Sequence, residues 1–115
     1  MPFARRGRWI KHNFPVEVAS FGDVYVDFSR MELVRKGSEI RLTVTEFRLL
    51  AFLLQNPERV ISRKELLDAI WRYRKDPATR TVDMHISKLR QKVERDPANP
   101  LHVRTVHRIG YKFVP

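Results

Sequence analysis

Val82, Ile86, Leu89 and Val93 recur at intervals of four, three and four residues, which at 100° per residue gathers them into one narrow stripe of an α-helix. A stripe of that kind has to face a core. The spacing predicts a helix that starts near Thr79 or Arg80 and ends by Arg95, because Asp96-Pro97-Ala98-Asn99-Pro100 cannot continue it. Asp83 is expected in its first turn, where a carboxylate suits the positive end of the helix dipole. The opposite side presents Arg80, Met84, Ser87, Lys88, Gln91 and Arg95, with Thr81, His85 and Lys92 on one flank.

Two shorter helices precede this one, each announced by the same grammar. Thr43-Val44-Thr45-Glu46 is a capping box with Leu42 and Phe47 placed as a hydrophobic staple. The run from Phe47 to Leu54 is apolar nearly all round, so that helix belongs at the centre of the core, and Asn56-Pro57 ends it. Ser62-Arg63-Lys64-Glu65 repeats the box with Ile61 and Leu66 as staple, and Leu66, Leu67, Ile70 and Trp71 make one apolar face. Upstream, from Val16 to Leu42, alternation in Val24–Phe28 and Met31–Arg35, with a turn at Lys36-Gly37-Ser38, predicts short strands in an antiparallel meander. Downstream, His102 to Val106 and Tyr111 to Val114 read as a hairpin turning through His107-Arg108-Ile109-Gly110. The class is α+β: sheet, three helices, hairpin.

At 115 residues the chain suits one domain, expected over residues 16–115 behind a basic tail or linker at 1–15. The four cations of that tail, Arg5, Arg6, Arg8 and Lys11, are either solvated or a DNA-contacting arm. A net charge of +10, from 23 Lys+Arg against 13 Asp+Glu, calls for a polyanionic partner. With no cysteine there are no disulfides or thiolate metal sites, which suits a cytoplasmic location. No apolar run approaches the ~20 residues of a membrane span, and no helix pairs a basic face with a large exposed apolar one, so a membrane partner is not expected. His12, His85, His102 and His107 form no zincin spacing, and neither a Ser-His-Asp motif nor a glycine phosphate loop is present. Catalysis, metal and cofactor are therefore not expected.

Most charged helix faces are merely solvated. This one is cationic, carries side chains able to read base edges, and lies on the third helix of a tri-helical unit followed by a hairpin. An α-helix fits the major groove of DNA, where lysine can donate to guanine and an apolar side chain such as Met84 can meet a thymine methyl. An RNA reader would instead want exposed aromatics for stacking, and helix three exposes none. Trp71 carries an indole N–H that needs a partner, either a backbone group or a phosphate oxygen. His107 and Arg108, at the hairpin tip, are either an exposed turn or minor-groove contacts.

Leu42–Leu50, Val60–Leu67, Thr79–Arg90 and Thr105–Tyr111 together form four ordered blocks. In these blocks the chain resembles the OmpR/PhoB-type winged-helix effector domain of bacterial response regulators, from about Phe21 to Val114. The resemblance implies a winged helix-turn-helix with an N-terminal four-stranded antiparallel sheet, three helices and a C-terminal β-hairpin wing. It further implies sequence-specific binding of double-stranded DNA as a transcriptional regulator. By position, Trp71, Arg80, Thr81, His85 and Ser87 lie against phosphates. Met84 and Lys88 approach bases, as do wing residues Thr105, His107 and Arg108. The loop from Arg72 through Tyr73, Arg74 and Lys75 to Ala78 is where relatives touch RNA polymerase. The resemblance implies a monomer in isolation and a tandem dimer on direct repeats. Two departures stand out: the wing often begins Arg-Gly where this chain has His107-Arg108, and the loop is unusually basic. Relatives also carry an upstream receiver domain that the residues before Phe21 cannot hold, so the chain is either an excised effector domain or one that stands alone.

Overall fold

Short connections force the first strands into a meander. In the computed structural model, which describes residues 17–72 and 78–115, β1 (Val18–Phe21), β2 (Val24–Asp27), β3 (Glu32–Arg35) and β4 (Ser38–Ile40) pair antiparallel in that order. Arg35 pairs with Ser38 across Lys36 and Gly37, whose φ values of 52° and 79° are those of a tight type I′ hairpin turn. The row Ala19, Val26, Leu33 and Ile40 turns inward, and the row Ser20, Tyr25, Val34 and Glu39 turns outward.

Thr43 then caps α1 (Val44–Gln55): its hydroxyl accepts from the Glu46 amide at 3.1 Å, and the Glu46 carboxylate accepts from the Thr43 amide at 2.9 Å. The second box is only half formed. Ser62 accepts from the Glu65 amide at 3.0 Å to start α2 (Arg63–Trp71), but the Glu65 carboxylate turns away to Arg59 at 2.7 Å. A guanidinium offers a charge-assisted bond in place of a neutral amide. α3 (Thr79–Val93) begins behind Ala78 with no side-chain cap. Asp83 therefore sits beyond the first turn, contrary to expectation, and is bound to Arg63 and Tyr111 instead.

The chain closes with β6 (Val103–Val106) and β7 (Gly110–Phe113), but the hairpin is not alone. Val60–Ser62 forms a further strand, β5, on the free edge of β7, giving a three-stranded sheet in the order β5-β7-β6. Gly110, expected in the turn, is instead a strand residue opposite Ser62, and a Cβ there would collide with the Ile61 carbonyl. The side-chain-free position is what lets β5 approach. One continuous core joins the two sheets and three helices, with Val82, Ile86, Leu89 and Val93 of α3 all buried in it. The architecture is a winged helix-turn-helix with a four-stranded N-terminal sheet.

The basic tail and Tyr73, Arg74 and Lys75 lie outside the described residues.

Candidate nucleic-acid interface

Burial of the α3 stripe fixes which side of the helix is left outside. Arg80, Met84, Ser87, Lys88 and Gln91 are exposed, Met84 by 53%, while Thr81 and His85 are half-buried beside them. Arg80 and Lys88 have no hydrogen-bond or ion-pair partner among the described residues. The His85 Nδ1 lies 2.9 Å from the Thr81 carbonyl, and since a carbonyl only accepts, that ring nitrogen donates.

Arg90 and Lys92 farther along the helix, and Arg95 just beyond its C-cap, are all engaged. Arg90 donates to the Val103 carbonyl and to the Thr105 hydroxyl, both at 2.8 Å, and its guanidinium stands 5.5 Å over the Tyr111 ring. Lys92 reaches the buried Glu46 carboxylate at 2.6 Å. Burial pushes the Glu46 carboxyl up, but the Lys92 ammonium and the Thr43 amide outweigh it, leaving the group below its ordinary value. Arg95 grips Asp23 of the β1–β2 turn with two bonds of 3.1 Å. Lys92 and Arg95, grouped by helical spacing with the outward cationic side, are thus tied to the protein.

The end of α3 is fastened just as firmly. Glu94, 1% exposed, accepts the backbone N–H groups of Leu101, His102 and Val103 at 2.7–3.0 Å. Arg35, from β3, donates to the carbonyls of Gln91, Lys92 and Glu94 at 3.0–3.4 Å, where the negative end of the helix favours a cation. The first half of α3 is locked to the wing through Asp83, which accepts from the Tyr111 hydroxyl at 2.6 Å and from Arg63 at 2.8 Å. Burial and that bond push the Tyr111 phenol up to about 12, so it keeps its proton at neutral pH. Neither carboxylate, nor Arg35 or Tyr111, stood out in the sequence as part of the site. The one available signal was two acidic residues, Asp83 within an otherwise basic helix and Glu94 at its end.

Trp71, at the end of α2, is 4% exposed and meets the His85 ring edge-on with centroids 5.0 Å apart. Among the described residues its indole N–H has no hydrogen-bond partner. Arg72 follows as the exposed C-cap of α2. In the wing, Thr105, His107, Arg108 and Ile109 are exposed. The tip is a turn closed by the Ile109 amide on the Val106 carbonyl at 2.9 Å, with Arg108 at φ 67°. The structure thus brings Arg80, Thr81, Met84, His85, Ser87 and Lys88 onto one helix, sets Trp71 against His85, and ties the strand bearing Thr105 to that helix through Arg90. His102 is a packing residue: its ring lies against Phe21 and Phe113, and its Nδ1 donates to the Val114 carbonyl at 2.9 Å. No group of side chains suited to holding a metal occurs among the described residues, and no helix there is long and apolar enough to cross a membrane.

Residues 37–113 match the family described as "Transcriptional regulatory protein, C terminal". The chain is 45% identical over 101 residues to the DNA-binding response regulator MtrA of Mycolicibacterium smegmatis, covering 88% of this chain and 44% of that protein. It is similar in structure to response regulator DrrB, a Thermotoga maritima OmpR/PhoB homolog, with a TM-score of 0.79 and 32% identity over 87% of this chain and 45% of that one. It is also similar to the Klebsiella pneumoniae RstA DNA-binding domain in complex with RstA box, with a TM-score of 0.73 and 28% identity over 85% of this chain and 97% of that one. The chain spans less than half the length of the curated relatives it matches.

Proposed function

Since the chain belongs to the family of C-terminal domains of transcriptional regulatory proteins, the OmpR/PhoB-type winged-helix effectors of response regulators, we propose that it binds double-stranded DNA sequence-specifically and regulates transcription. The observation that carries this reading is the division of cations along α3 and just past its C-cap. Arg90, Lys92 and Arg95 are held by the protein, whereas Arg80 and Lys88, on the exposed side of a helix whose stripe is buried, have no protein partner among the described residues. A helix so presented suits the major groove, with Met84 and Lys88 toward base edges. Arg80, Thr81, His85, Ser87 and the indole N–H of Trp71 are the phosphate contacts of the proposal, and the wing lies along the adjacent minor groove. The uncapped first turn of α3 adds backbone N–H groups at the positive end of the helix.

The relatives' greater length is the basis for a receiver domain as upstream partner, and direct repeats bound in tandem are the expected DNA target. The loop after Arg72 is the proposed RNA polymerase contact. The proposed setting is the cytoplasm, with a binding role and no catalytic step.

Selection of bound duplexes from a random DNA pool tests the reading. Enrichment of one short motif, repeated head to tail and outcompeting RNA of the same sequence, is the expected result. Recovery of no motif, or equal competition by RNA, contradicts it.

A further inference from the structure

His85 enters the proposed interface with one ring nitrogen already committed. Its Nδ1 donates to the Thr81 carbonyl at 2.9 Å, and its ring meets Trp71 edge-on with centroids 5.0 Å apart. A neutral imidazole carries a single N–H, so a proton on Nδ1 leaves Nε2 as a bare lone pair. Among the described residues that Nε2 has no hydrogen-bond partner. A phosphate oxygen accepts, and two acceptors cannot bond to each other. Nε2 therefore reaches a phosphate as a donor in one form, the doubly protonated imidazolium. The charged groups that flank the pair are Lys88, three positions on along α3, and on α2 Arg72, next to Trp71, with Asp68 three positions before it. Asp68 is engaged by Lys64 at 3.2 Å, and Asp83, two positions before His85, by Arg63 and Tyr111. Both carboxylates are thus taken, and the negative charge that stabilises a charged ring is left for the ligand to bring.

We propose that His85 makes the DNA affinity of this domain proton-linked. Docking on a backbone phosphate takes one proton from solvent onto Nε2, and the imidazolium so formed donates to the phosphate oxygen while Nδ1 keeps its bond to Thr81. The inference rests on the DNA-binding reading above and adds its regulation by pH. The complex holds one proton more than the separate partners, so affinity rises as pH falls through the range in which histidine titrates. It levels off where the free domain already carries the proton. The other described histidines are placed differently. His102 commits its Nδ1 in the same way, to the Val114 carbonyl, but its ring packs against Phe21 and Phe113 rather than on α3. His107 is exposed in the wing, with no hydrogen bond among the described residues to fix its tautomer.

Isothermal titration calorimetry of the domain with its selected duplex counts the protons directly, when run at about pH 7 in two buffers of different ionisation enthalpy. The wild-type domain is expected to take up a positive fraction of a proton on binding. At fixed ionic strength it should bind about tenfold more tightly at about pH 5.5 than at about pH 8. His85→Gln carries an amide N–H donor at every pH, so it should keep the contact while flattening the pH dependence. His107→Gln should keep that dependence whatever its effect on affinity. Zero proton uptake by the wild-type domain overturns the inference without recourse to any variant. If His85→Gln retains the full pH dependence, or His107→Gln removes it, the inference about His85 falls while DNA binding through α3 stands. If the wild-type domain binds the duplex at no pH, the underlying reading falls with it.

Discussion

Two consecutive stretches of chain, Arg80–Lys88 within α3 and Arg90–Arg95 across its C-terminal end, are built from similar residues and used in opposite ways. In the second stretch, Arg90 and Lys92 of the helix and Arg95 just beyond its C-cap close onto the wing, the α1 capping box and the β1–β2 turn. In the first stretch, Arg80 and Lys88 project from the helix with no such partner among the described residues. Cationic character therefore does not assign a role; the partner does. The second stretch anchors the helix so that the first is presented rigidly, and a surface held in one geometry loses less ordering entropy on binding.

The largest expected effect tests the stripe shared by both stretches. Leu89→Asp would bury an unpaired carboxylate at a position with 0% exposure and should destabilise the fold by more than about 4 kcal/mol. Circular dichroism should show no cooperative melting; a folded Leu89→Asp domain would mean the stripe is not core.

Next comes the anchoring stretch alone. Lys92→Met leaves the buried Glu46 carboxylate without its cation and should cost about 2–3 kcal/mol in urea unfolding. The pH dependence follows from the lowered pKa of Glu46. Its stabilisation is complete above the ordinary value of 4.5 and is lost as pH falls through the lower folded value. Lys92→Met should flatten that acid limb, and an unchanged limb would show that the ion pair does not supply it.

How much of this was legible in the sequence follows the same division. The amphipathic stripe, the Thr43 box and the order of elements depend on local spacing, so they could be read directly. β5 could not: Val60-Ile61-Ser62 reads locally as staple and cap, and becomes a strand only because Gly110, far along the chain, leaves room beside it. Helical spacing likewise grouped Lys92 and Arg95 with the outward cations, although Arg95 lies beyond the helix, and their partners, Glu46 and Asp23, lie 46 and 72 positions away. Asp83 was assigned to the helix dipole because Arg63 and Tyr111 could not be foreseen beside it. Within the candidate site, residue positions on α3 were legible; the network that orients the helix against the wing was not.

For the presenting stretch, Lys88→Ala should leave the melting temperature unchanged yet cost about 2 kcal/mol on the selected site and relax preference at one base position. A uniform loss across sequences would make Lys88 a phosphate contact instead. The smallest effect separates the stretches by salt. With about six phosphates neutralised per domain, log K against log salt should have a slope near −5. Arg80→Ala should reduce its magnitude by about 1, whereas Arg95→Ala, already paired with Asp23, should leave it nearly unchanged. Equal changes would erase the distinction between the stretches.

The most direct measurement is amide chemical-shift mapping of the domain titrated with its selected duplex. The expected perturbations fall on Arg80, Met84, Ser87 and Lys88 and on the wing from Thr105 to Ile109, with the outward row Ser20, Tyr25, Val34 and Glu39 of the first sheet silent. Shifts concentrated on that sheet, with α3 unmoved, would contradict a DNA-binding role for the helix.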